Sequence, residues 1–271
     1  MTVALAGVDR IGRAFARAKA ERRLAVAIYL TVGYPTPGDT AALLRAALDG
    51  GADVLELGVP FSDPLADGAT VQRASQAALE QGTTLRDCIA AARVVVAERD
   101  ATALLMGYAN PFLHYGLAAF ARAAADAGIA GIIVPDLPAE ESGEFDAVLG
   151  PAGLARIDLY APTTPDARLD ALLPRARGFV YCVSLTGVTG ARTAVGGDAA
   201  ALVGRVRART ALPVVLGFGI STPDQVAALR GTVDGVAIGS AALDVVTASG
   251  AAAPDRLRDF VRALVAAGRQ A

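Results

Sequence analysis

Three carboxylates, Glu56, Asp63 and Asp67, fall inside one stretch, Leu55-Glu56-Leu57-Gly58-Val59-Pro60-Phe61-Ser62-Asp63-Pro64-Leu65-Ala66-Asp67-Gly68. It begins as an apolar run suited to a buried strand and ends as a loop punctuated by Pro, Ser and Gly. Carboxyl groups in different surroundings serve as general acid and general base, because burial and neighbours push their pKa values apart. Glu56 fits that use because it lies within the apolar run itself. Strand side chains alternate faces, so Val54, Glu56 and Gly58 share one face and Leu55 and Leu57 the other. A carboxylate pointing into a core needs a partner or a shifted pKa. No arginine lies in the stretch to supply that partner, which favours acid–base chemistry over a structural ion pair. Asp67, ahead of Gly68 and a helical segment, suits a helix N-cap or turn as well as it suits a site. Asp63, before Pro64, reads as a turn former or a contact rather than a catalyst.

The scarcities narrow the chemistry. Lys19 is the only lysine and His114 the only histidine among 271 residues. A Schiff-base mechanism would have to use Lys19, in a helix ahead of the first strand, and zinc held by several imidazoles is ruled out. His114, after Asn110-Pro111, reads as a capping or packing residue. Acid–base work therefore rests on Asp, Glu, Tyr or His114. A net charge of −2 without a basic block gives no electrostatic footing for nucleic acid. The apolar runs are too short and interrupted to span a bilayer, and the arginine-dotted first segment is not a signal peptide. The two cysteines, Cys88 and Cys182, suit reduced core thiols in a cytoplasmic protein.

These residues must be positioned by a repeating frame. Eight apolar strands are expected, at Ala25–Thr31, Val54–Gly58, Thr102–Gly107, Ile129–Val134, Ala155–Tyr160, Phe179–Ser184, Pro213–Leu216 and Gly235–Ile238. Helical segments separate them, a further helix over residues 8–23 precedes them, and Pro254–Ala267 closes the chain. A turn is expected at Asn110-Pro111, and Gly239-Ser240-Ala241 follows the last strand. This alternation predicts an α/β fold, a single-domain (β/α)8 TIM barrel over residues 1–271 with an extra N-terminal helix. A doubly wound sheet would want a Gly-rich first turn, which Thr31–Pro37 lacks. Barrel active sites gather at the C-terminal ends of the strands, which brings Glu56, Asp63, Asp67, Tyr108, Asn110, Asp136, Tyr181 and Ser184 to one rim.

Two glycine-bearing turns, Gly217-Phe218-Gly219 and Gly239-Ser240, follow the seventh and eighth strands, where barrels hold phosphate on backbone amides. Glycine also serves tight βα turns, the plainer reading. Thr186–Gly197, with four glycines, has the composition of a mobile lid or of simple disorder.

The stretch Leu55–Gly68 resembles the signature of the tryptophan synthase alpha chain family. So do Gly131-Ile132-Ile133-Val134-Pro135-Asp136-Leu137-Pro138, Leu159-Tyr160-Ala161-Pro162-Thr163-Thr164, Tyr181-Cys182-Val183-Ser184-Leu185-Thr186-Gly187-Val188-Thr189-Gly190 and Gly217-Phe218-Gly219-Ile220. The likeness runs from about Leu24 to Asp244; Ala69 replaces a frequent proline, and Leu185-Thr186 varies a loop position. The resemblance implies retro-aldol cleavage of indole-3-glycerol phosphate to indole and D-glyceraldehyde 3-phosphate. In that reading Glu56 shuttles protons, Asp67 holds the indole nitrogen, and Tyr181 lines the site beside Glu56. Tyr29, Tyr108 and Ile133 wall the indole pocket. Gly190, Gly219, Gly239 and Ser240 hold phosphate, and Thr189 closes toward Asp67. It implies no cofactor on this chain, and a tryptophan synthase beta chain as partner in an alpha2-beta2 heterotetramer. Pyridoxal phosphate belongs to the beta chain, which meets the Asp63-Pro64 loop and the lid. A standalone indole-releasing lyase is the alternative. An indole-3-glycerol phosphate synthase would need a strand-end lysine, absent here, and a dead scaffold would leave Glu56 and Asp67 without a use.

Overall fold

Every residue of Ala25–Thr31 and of Val54–Gly58 is buried, as parallel strands covered on both faces require. The computed structural model describes residues 6–183 and 197–270. Its strands are β1 (Ala25–Thr31), β2 (Val54–Gly58), β3 (Thr102–Met106), β4 (Gly131–Ile133), β5 (Ala155–Ile157), β6 (Leu159–Tyr160), β7 (Val180–Val183), β8 (Val214–Gly217) and β9 (Gly235–Ile238). All pair in parallel, in the order β5-β4-β3-β2-β1-β9-β8-β7-β6. The expected fifth strand is thus two segments broken at Asp158: β5 pairs with β4 and β6 with β7, each half closing one side of the wall. Nine segments make the eight-stranded wall of a nearly closed (β/α)8 barrel.

The helices are α1 (Gly7–Ala20), α2 (Thr40–Asp49), α3 (Ala69–Glu80), α4 (Leu85–Arg99), α5 (Ala109–Tyr115), α6 (Leu117–Asp126), α7 (Gly143–Leu149), α8 (Asp166–Leu172), α9 (Gly197–Arg207), α10 (Pro223–Ala228), α11 (Ser240–Ser249) and α12 (Ala253–Ala267). The leading helix α1 plugs the N-terminal end of the barrel, with Ile11 against Gly178 and Phe15 against Gly235 and Phe179. One expectation fails, and one gap is filled. Asn110-Pro111 does not form a turn but opens α5; Pro111 is tolerated because amides of a helix's first turn have no partner within the helix. The stretch after Gly239, to which the sequence reading assigns no element, forms α11, whose buried Ala242, Leu243 and Val246 repeat at helical spacing. Among the described residues no helix is long and apolar enough to cross a membrane.

Register sets the inner face. Tyr29 pairs with Glu56 and Glu56 with Leu104; Gly58 pairs with Met106 and Met106 with Ile133. Paired residues of parallel strands project to the same side, so Tyr29, Glu56 and Ile133 share one face. Glu56 on β2 and Tyr181 on β7 act on each other electrostatically across four strand-to-strand steps. Only the barrel interior brings those strands together.

Candidate active site

Glu56 is 1% exposed, and its Oε1 has no hydrogen-bond partner. The ion pair that would make it a purely structural residue is missing among the described residues. Burial alone drives its carboxyl up to about 8. Two tyrosines lie beside it. The Tyr29 hydroxyl rests against Gly58, where an added Cβ would come within 2.2 Å of it, and Thr31 Oγ1 donates to it at 3.3 Å. The Tyr181 hydroxyl rests against Gly217, where an added Cβ would come within 2.3 Å. Glycine at 58 and 217 lets both rings lie across the mouth. Burial pushes both phenols up, and the charge of Glu56 adds to each.

Asp67 lies at the lip, partly exposed, on the loop between β2 and α3. Burial pushes its carboxyl up to about 6, against a hydrogen bond from the Tyr108 hydroxyl that favours the charged form. The same hydroxyl accepts from Ala66 N at 2.9 Å, and the Phe61 ring stacks on Tyr108 at 5.2 Å. Tyr108, 4% exposed, therefore pins the loop that carries Asp67. The cap reading of Asp67 is overturned, because Gly68 is the N-cap of α3 and no side-chain cap bond forms. Tyr29 feels the charges of both Asp67 and Glu56, so its hydroxyl lies within reach of both carboxyls' fields.

The other rim residues divide. Ile133 is fully buried on the inner face of β4. Asp136 accepts from Ala109 N at 2.9 Å and so anchors the start of α5. Asn110 is exposed within that helix, and so is His114, in its last turn, rather than packed. Asp63 is exposed and takes a hydrogen bond from Ser62 Oγ. Gly217 pairs with Ala237, so Gly219 and Gly239 leave the sheet side by side, two residues further on. Gly219 has φ +78°, the left-handed region that favours glycine. Gly239 caps α11 and packs on Tyr29, and Ser240, the helix's first residue, is exposed. Lys19 lies exposed on α1, at the far end of the barrel. Ser184, Thr189, Gly190 and most of the expected lid lie outside the described residues.

Sequence reasoning did not single out Phe218. It takes φ +68°, uncommon for a residue with a side chain, and meets Tyr181 edge-on at 6.2 Å. Its signal was an aromatic residue between two glycines at a strand end.

The pattern of the tryptophan synthase alpha chain family matches residues 15–267. The chain belongs to that family. It is 46% identical over 265 residues to the tryptophan synthase alpha chain of Rhizorhabdus wittichii, covering 97% of this chain and 98% of that one. It is 49% identical over 244 residues to that of Roseiflexus castenholzii, covering 89% and 93%. Among solved structures, tryptophan synthase from Mycobacterium tuberculosis superposes with a TM-score of 0.89 at 40% identity, covering 97% of this chain and 99% of that one. Tryptophan synthase subunit alpha from Legionella pneumophila gives 0.88 at 33% identity, covering 95% and 97%. Membership makes the chain an alpha subunit and a lyase of tryptophan biosynthesis, and the standalone alternative finds no support among these relatives.

Proposed function

We propose that Glu56 and Asp67 carry the family's reaction, the cleavage of indole-3-glycerol phosphate to indole and D-glyceraldehyde 3-phosphate. The observation that carries this assignment is the buried, unpaired carboxyl of Glu56. With a pKa near 8 it holds its proton at neutral pH and acts first as an acid. It protonates the indole carbon that bears the side chain, giving an indolenine cation. The carboxylate so formed takes the proton of the adjacent glycerol hydroxyl. That oxygen becomes a carbonyl as the carbon–carbon bond breaks, and the bonding pair returns to the ring and neutralises it. Glu56 ends with the proton it began with. Asp67, ionised above about 6, accepts the ring N–H and offsets the passing positive charge.

Tyr29, Tyr108 and Ile133 wall the ring, and Tyr181 lies beside Glu56. Phosphate binds the backbone at Gly219 and Gly239 and the hydroxyl of Ser240, where the first amides of α11 lack helical partners. Thr189 and Gly190 complete this set by resemblance. The reaction calls on no cofactor of this chain, and pyridoxal phosphate is assigned to the beta chain. The partner is a tryptophan synthase beta chain in an alpha2-beta2 assembly in the cytoplasm. Leu65, 93% exposed, and Leu113, 47% exposed, support a docking surface on this rim, since Tyr108 ties the Leu65 loop to the helix carrying Leu113.

The test is indole release from indole-3-glycerol phosphate by wild type and by Glu56→Gln, with and without a beta chain. The variant folds but loses roughly a thousandfold or more in kcat, and the beta chain strongly activates the wild type. Near-normal release by the variant sinks the assignment.

A further inference from the structure

The break at Asp158 has a second consequence, on the outside of the barrel. Ile157 and Leu159 pair with the inward-facing Ile133 and Tyr181, so Arg156, Asp158 and Tyr160 project outward, toward the helices. There they line a cavity of about 240 Å³ between the loop that follows β4 and helix α8. The cavity is built from both signs of charge. Arg156 and Arg168 face it, and so do Asp136 and Asp158. Val134, Leu137 and Leu172 supply apolar wall. Tyr160 is 2% exposed, and its hydroxyl has no hydrogen-bond partner. Buried donors are seldom left so.

We propose that this cavity binds a small zwitterion with an apolar tail, an amino acid carrying a bulky apolar side chain. Arg156 already pairs with Asp158 and Asp146, which leaves Arg168 and Asp136, one charge of each sign, to meet a ligand, so a ligand of a single charge would satisfy only one of them. A carboxylate and an ammonium held side by side match both signs, and the tail covers the apolar wall. The partnerless Tyr160 hydroxyl supplies one donor to the ligand's carboxylate. The volume is below the roughly 300–1,000 Å³ of pockets for drug-sized ligands, and so suits a metabolite. The mouth has a clasp: Arg168 Nε and Nη2 donate to the two carboxylate oxygens of Glu140 at 2.7 and 2.9 Å. Both side chains are substantially exposed, at 43% and 50%, so the pair opens at little cost and Arg168 can exchange the Glu140 carboxylate for the ligand's. The proposed lyase chemistry uses Arg156, Asp158, Tyr160 and Arg168 nowhere, so this site stands whether or not that chemistry does.

The experiment is calorimetric titration and thermal melting of the full chain without lyase substrate. The probes are L-leucine, L-phenylalanine and L-tryptophan, with 3-phenylpropionate and phenethylamine as single-charge controls. At least one amino acid is expected to bind and to raise the melting temperature. The controls bind about tenfold more weakly or worse, and Tyr160→Phe and Arg168→Ala each weaken binding about tenfold. Without ligand, Tyr160→Phe melts at or above wild type, because no bond is lost. Three results overturn the proposal: no melting shift with any amino acid at about 10 mM, binding of a single-charge control as tight as the amino acid, or binding undiminished in both variants. A lowered melting temperature of unliganded Tyr160→Phe also overturns it, since the hydroxyl would then already be satisfied within the chain.

Discussion

Asp53 and Glu56 are three residues apart and both all but fully buried, at 2% and 1% exposure, yet their surroundings are opposite. Asp53, just before β2, is saturated. Arg23 Nη1 and Nη2 donate to its two oxygens at 2.5 and 2.9 Å, Arg17 Nη2 at 3.1 Å and Val26 N at 3.0 Å. Glu56, within β2, has an orphaned oxygen and a carboxyl pushed up to about 8. The strand and the residue that leads into it therefore hold a charge neutralised for the fold at the barrel's N-terminal end and a proton kept for chemistry toward its C-terminal end. That division follows the general polarity of barrel enzymes, stability below and catalysis above. Burial does not decide a carboxylate's role; what surrounds it does.

The contrast is open to attack from both ends. Glu56→Gln should abolish indole release, the largest effect, as the assay above measures. Asp53→Ala should do the reverse. It takes from Arg23, whose side chain is 5% exposed, its buried partner and leaves it the half-exposed Glu21 and the Leu24 carbonyl, which should cost about 3 kcal/mol in urea unfolding while the folded fraction keeps its kcat. A large loss of kcat per folded molecule would erase the distinction.

Glu56→Gln has a further consequence, of opposite sign to its effect on activity. A carboxyl whose folded pKa is raised keeps its proton where the unfolded chain releases it. Folding therefore loses stability as pH climbs from the ordinary carboxylate range, near 4.5, to about 8. Replacing Glu56 with Gln removes that loss, so the variant should be more stable than wild type by about 3 kcal/mol near neutral pH. The gain should shrink toward pH 4.5, and denaturant unfolding at several pH values measures it. A variant less stable at every pH would contradict the neutral, buried carboxyl.

Tyr108→Phe probes the lip, with the smallest expected effect. Losing the hydrogen bond that favours the charged form raises the Asp67 pKa further above its present value of about 6. The acidic limb of the kcat/KM profile should then move up by about half a pH unit to one unit, with a loss of about tenfold in rate. An unmoved limb would leave Tyr108 as wall only.

Much of this was legible in the residues. The bounds of β1, β2 and β9 follow from their apolar runs and the loop residues that end them. Glu56 stood out because a charged residue interrupted such a run. Asp67 was ambiguous because its neighbour Gly68 leaves the capping role open until the helix start is seen. The bond between Tyr108 and Asp67 joins residues distant in sequence, so no local pattern encodes it. The step at Asp158 comes from closing the barrel, a property of the whole sheet. Asn110-Pro111 misled because proline breaks a helix interior yet suits a first turn.

The carboxyl of Glu56 can be observed directly by labelling its side-chain carbon and following the resonance against pH. A titration midpoint near 8 is predicted for the folded protein; a midpoint in the ordinary carboxylate range, about 4.3, would contradict the account.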